Sequence, residues 1–109
     1  MAEAIEITKD NFIEVVLESS IPVLITFWVP WFARAVEDKN YTDQLVDDYI
    51  GLMRITKASF DDCQCVADNS GVSGAPHFVI YESGVKQTEY AGYYTFEELQ
   101  TFIDNYLNP

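Results

Sequence analysis

Val23-Leu24-Ile25-Thr26-Phe27-Trp28-Val29-Pro30-Trp31-Phe32-Ala33-Arg34-Ala35 is the stretch from which the rest of the chain is read. Val23 to Trp28 is an apolar run rich in β-branched and aromatic residues, the composition of a strand buried on both faces of a sheet. Pro30 and its aromatic neighbours mark a turn, and from about Ala33 the apolar spacing becomes that of a helix. A strand that feeds into a helix delivers its end to the helix N-terminus, where unpaired N–H groups and the dipole stabilise an anion such as a thiolate. Here the junction carries Phe32, Ala33, Arg34 and Ala35, none of which is a nucleophile.

On the N-terminal side, Ile5 and Ile7 alternate with Glu6 as in a short edge strand. Thr8 then reads as the N-cap of an amphipathic helix through Ser19, with Phe12, Val15, Val16 and Ser19 at helical spacing, and Pro22 ends the segment. On the C-terminal side the helix from about Ala33 to Ile50 shows a Tyr41, Leu45, Tyr49 stripe and is stopped at Gly51. Leu52 to Phe60 is a second inner strand. Asp61-Asp62 starts a short helix that holds Cys63 and Cys65 and closes at Gly71. His77 to Tyr81 and Val85 to Ala91 form a hairpin around Glu82-Ser83-Gly84. Thr95-Phe96-Glu97-Glu98 is a capping box opening a last helix, with Phe96, Leu99, Phe102, Ile103 and Tyr106 at apolar positions. The order βαβαβαββα predicts an α/β fold: a mixed central sheet with helices on both faces.

Composition narrows the function. The chain has 109 residues, the size of one domain, and its 49% hydrophobic and 15% aromatic content predicts a folded core. The formal net charge is −12, with 18 acids against 6 Lys and Arg. The acids are spread along the chain and read as a solvated surface. Such a surface opposes nucleic acid and anionic membranes and favours basic partners. Met1 to Glu6 has neither the basic region nor the apolar core of a signal peptide, so the expected compartment is the cytoplasm, or an organelle if a transit segment was removed. Two cysteines are too few for a disulfide framework or a structural zinc site, and no metal or cofactor is expected.

With these elements in place the chain resembles a thioredoxin of the bacterial and chloroplast kind over essentially its whole length, 1–109 forming a single thioredoxin-like domain. The residues that carry the likeness are Phe27-Trp28-Val29-Pro30-Trp31, Lys57, Phe60-Asp61, Gly74-Ala75-Pro76, Gly84 and Gly92. The resemblance implies the thioredoxin fold, a cis Ala75–Pro76 bond and a Trp28 indole hydrogen-bonded to Asp61. The family's catalytic pattern is Trp-Cys-Gly-Pro-Cys, and the matching residues are Trp31, Phe32, Ala33, Arg34 and Ala35. The chemistry needs a low-pKa thiolate and a resolving thiol. Phe32 and Ala35 supply neither, so dithiol exchange at this place is excluded on chemical grounds. The family's buried Asp is replaced by Thr26, which leaves Lys57 without its usual acid. The Pro that kinks the long helix is replaced by Asn40, which predicts a straighter helix.

Three candidate sites follow. The family's peptide groove maps onto Trp31, Phe32, Ala33, Arg34, Ala75, Pro76, Gly92 and Tyr93, and its aromatic and Arg content suits a protein or peptide partner. The preferred reading is therefore a redox-inactive binding module and not an enzyme. The alternative is an atypical thiol oxidoreductase or redox sensor using Cys63-Gln64-Cys65. Residues i and i+2 of a helix point about 200° apart, so one thiol should face the core and the other water. The surrounding acids Asp61, Asp62 and Asp68 would raise the thiol pKa. Metal binding by Cys63, Cys65 and His77 is the weakest of the three, and His77 reads as a strand-edge residue beside the groove.

Overall fold

The computed structural model describes residues 4–28, 35–74, 76–92 and 95–108, with residues 35–41 described as backbone only. Five strands are present: β1 (Ile5–Glu6), β2 (Val23–Trp28), β3 (Arg54–Ser59), β4 (His77–Glu82) and β5 (Val85–Ala91). Three α-helices accompany them: α1 (Ala35–Asp48), α2 (Gln64–Ser70) and α3 (Phe96–Leu107). The sheet runs β1-β3-β2-β4-β5. β1 and β2 lie parallel to β3, and β4 and β5 are antiparallel to their neighbours. The mixed sheet is the one expected, and the element order is βαβαβαββα except that a π-helical turn stands in place of the first helix.

β2 is central because its side chains are apolar on both faces, so each face can be covered. Val23, Ile25 and Phe27 pack with Val79 and Ala58 against the segment around Phe12 and Val16 and against Val66 and Ala67 of α2. Leu24 packs on the other face with Ile55, Phe78 and Ile80 against Leu45 of α1 and Leu99 and Ile103 of α3. α1 is one helix from Ala35 to Asp48 and includes Asn40.

Two local expectations are corrected. The amphipathic helix from Thr8 to Ser19 is instead a single π-helical turn, Ile13–Leu17, closed by Glu18 N–H donating to Ile13 O at 2.9 Å. Its Ile-Glu-Val-Val-Leu sequence is β-branched and a weak helix former. Thr8 still caps, with Oγ1 accepting from the backbone N–H of Asp10 and Asn11. The second correction concerns α2. Its N-cap is Cys63, without a side-chain capping bond, and not the Asp61-Asp62 pair.

The hairpin turn places Ser83 and Gly84 at φ 56° and 78°, the left-handed pair of a two-residue turn. A side chain on Gly84 would also stand 3.2 Å from Leu17 O. Between Ile80 and Tyr81 the β4–β5 register slips, so that Thr88 faces Ile80 but Lys86 faces Tyr81. That bulge moves Lys86 onto the same side of the sheet as Glu89.

Candidate functional site

The C-terminal end of β2 is where distant parts of the chain meet. Phe27 pairs with His77 across β2 and β4, and His77 pairs with Ala91 across β4 and β5. Just beyond these pairs, Gly92 N–H donates to Pro76 O at 3.2 Å. Pro76 and Gly92, two walls of the expected groove, are therefore side by side at the strand end. Trp31, Phe32, Ala33, Arg34, Ala75 and Tyr93 lie outside the described residues, as do the Ala75–Pro76 bond and the side chain of Ala35.

Beneath this end, on the face shared with α1 and α3, sits a polar group of side chains. The register aligns Glu6 with Lys57, Lys57 with Thr26, and Ser59 with Trp28. Thr26 is 2% exposed, and its hydroxyl, the Ser59 hydroxyl and the Trp28 indole N–H have no hydrogen-bond partner among the described residues. The expected bond from Trp28 to Asp61 is thus corrected. The indole instead lies in electrostatic reach of the Glu6 carboxyl, without the geometry of a hydrogen bond. Partial desolvation raises the Glu6 pKa, although the residue keeps an exposed side; the Lys57 charge opposes the shift without cancelling it. Glu6 is the acid nearest in register to Lys57, on a strand the sequence reading did not connect to it.

The cysteines divide as expected, one inward and one outward, although Cys63 is the N-cap of α2 and lies outside the helix proper. Cys63 is 3% exposed and its thiol donates to Ile7 O at 3.1 Å, whereas Cys65 is exposed, and both are free thiols. Burial pushes the Cys63 thiol pKa up, and the Glu6, Cys65 and Asp62 charges push it further. The buried cysteine is thus a poor nucleophile, and the accessible one lacks a neighbouring thiol on its own side. Cys63, Cys65 and His77 are not brought together; among the described residues no group of three or more metal-ligating side chains forms.

His77 has a partner that sequence reading missed. Its Nε2 lies 2.6 Å from Glu89 Oε1, while Glu89 Oε2 accepts from Lys86 Nζ at 2.9 Å. Lys86 Nζ also donates to Ser70 O at 2.8 Å, which ties the trio to the end of α2. Hydrogen bonds from Lys86 and His77 lower the Glu89 pKa. The trio exists because of the bulge, which no single-strand pattern reveals. It holds charge and fastens the hairpin to the end of α2.

This arrangement, a mixed five-stranded sheet ordered β1-β3-β2-β4-β5 with helical segments packed on both faces, is that of the thioredoxin fold. The sequence profile of the Thioredoxin family matches residues 3–105. The chain belongs to the thioredoxin family. It is similar to Thioredoxin M5, chloroplastic, of Oryza sativa subsp. japonica, with 29% identity over 106 residues covering 97% of this chain and 62% of the rice protein. Thioredoxin M-type, chloroplastic, of Chlamydomonas reinhardtii is 30% identical over 107 residues, covering 98% of this chain and 76% of that protein. Thioredoxin of Haemophilus influenzae is 28% identical over 107 residues, covering 98% of this chain and 100% of that protein. The chain thus spans about three-fifths of the rice and wheat relatives, at 62% and 60% of their lengths. All three relatives described are named thioredoxins.

Proposed function

We propose that this chain acts as one thioredoxin-like domain that binds a protein or peptide and does not perform dithiol exchange. The observation that carries the reading is Trp31-Phe32-Ala33-Arg34-Ala35 in the place of the family's Trp-Cys-Gly-Pro-Cys. A thioether-free, thiol-free junction has nothing to attack a disulfide and nothing to resolve one. The adjacency of Pro76 and Gly92 at the end of β2 supports a groove that outlasts its chemistry. The proposed contact residues are Trp31, Phe32, Ala33, Arg34, Ala75, Pro76, Gly92 and Tyr93, and the net charge of −12 favours a basic partner over nucleic acid or an anionic membrane. Among the described residues no helix is long and apolar enough to cross a membrane, and the cytoplasm or an organelle is the proposed compartment.

Thiol redox chemistry through Cys63 and Cys65 is the competing reading, and the burial and raised pKa of Cys63 weigh against it. A disulfide-reduction assay with chemical reductant or a reductase separates the two. No turnover above background is expected; turnover that disappears in Cys63→Ser/Cys65→Ser would overturn the proposal. The groove itself is tested by affinity capture with wild type against Trp31→Ala. The variant should lose specific partners, and identical captured sets would count against the groove.

A further inference from the structure

The outer strand and α3 frame a second surface, distinct from the Pro76–Gly92 end. β5 is the last strand of the sheet, bonded to β4 on one side. Between it and α3 lies an open groove of about 410 Å³ lined by Tyr90, Glu97, Glu98, Thr101, Phe102 and Asn105. Its floor is aromatic. Tyr90 and Phe102 meet edge to face with ring centroids 5.7 Å apart, and Phe78 braces Tyr90 in the same manner at 6.3 Å. Its rim is acidic. Glu97 is exposed, and Glu98 is held in place as Oε1 accepts from Thr95 N–H at 3.0 Å and Oε2 from Tyr90 O–H at 3.1 Å.

α3 carries no Lys or Arg, so no basic side chain of that helix neutralises the two carboxylates. An anion would be repelled, and a purely apolar side chain would desolvate the acids without pairing them. A guanidinium meets both halves of the groove: its plane stacks on an aromatic face and its N–H fork pairs with a carboxylate. Lysine has the charge but not the plane. We propose that this groove takes an arginine side chain from a basic segment of a partner protein, stacked on Phe102 beside Tyr90 and paired with Glu97. The proposal does not depend on the groove at Pro76 and Gly92, which a partner could leave empty.

The test uses the full chain in an NMR titration with acetyl-Gly-Arg-Gly-amide and with its citrulline counterpart, which keeps the shape and removes the charge. The arginine peptide should shift the signals of Tyr90, Thr101, Phe102 and Asn105, and the citrulline peptide should not. Glu97→Gln should weaken binding by about threefold or more. Phe102→Leu, which keeps an apolar filling, should do the same. Glu14→Gln removes an equal charge from the π-helical turn on the other face of the sheet and should leave affinity within error. Equal shifts from citrulline, equal weakening by Glu14→Gln, or no localised shifts at millimolar peptide would each overturn the proposal. Amide spectra of the free variants establish that each is folded, and Glu97→Gln alters only an exposed side chain.

Discussion

Thr26 buries a hydroxyl in the central strand that has no hydrogen-bond partner among the described residues. An unsatisfied buried group costs about 1–3 kcal/mol, and valine has the same shape without the group. Thr26→Val should therefore stabilise the protein by about 1 kcal/mol, seen as a higher urea midpoint at unchanged slope. A lower midpoint would mean that the hydroxyl is bonded after all. The cysteines allow an equally direct check. Cys65 is exposed and Cys63 is buried with its thiol pushed toward the neutral form. Iodoacetamide on the native protein should add one adduct, at Cys65, and a second only after denaturation, as read by mass spectrometry. Two adducts at equal rates would contradict the burial of Cys63. The chemistry of each side chain was legible in the sequence, but its environment was not. Nothing in Cys63-Gln64-Cys65 says which thiol turns inward, because that depends on where α2 meets β1.

The capping box of α3 is an element whose start is written locally. Thr95 Oγ1 accepts from Glu98 N–H at 3.1 Å while Glu98 returns the bond to Thr95 N–H, as the Thr-x-x-Glu spacing predicts. Thr95→Ala should cost about 1 kcal/mol in denaturation. The trio on β4 and β5 is the opposite case, since only the bulge brings Lys86 beside Glu89. Lys86 first, then His77, lowers the Glu89 pKa. A lowered carboxyl pKa contributes stability that is present above the unfolded value of about 4.3 and lost as pH falls through the folded one. Glu89 is 44% exposed, so solvent screening reduces the effect to about a few tenths of a kcal/mol. Glu89→Gln should be slightly less stable than wild type at pH 7, the gap closing on acidification. A gap that widens toward low pH would reverse the sign.

For the molecule as a whole, the sheet and its covering helices are those of the thioredoxin fold, while Phe32 and Ala35 stand where the resemblance implies the family's two cysteines. If only the chemistry is missing, restoring it should restore function. Phe32→Cys, Ala33→Gly, Arg34→Pro and Ala35→Cys together should give disulfide reductase activity well above that of the unaltered chain. The rate should stay below that of an ordinary thioredoxin, because Thr26 supplies no acid below the site. A folded but inert variant would show that the loss extends beyond the junction.

The order of the strands and of the last three helices, the buried nature of β2, the capping box and the absence of thiols at Phe32 and Ala35 were all settled by residue identity and local period. These depend on neighbours a few positions apart, which a linear chain displays. The Glu6–Lys57–Thr26 alignment, the surroundings of the Trp28 indole, the Lys86–Glu89–His77 trio and the groove between β5 and α3 depend on register and packing between distant segments. A one-residue slip in pairing sends a side chain to the other face, so such contacts are decided only when the sheet closes.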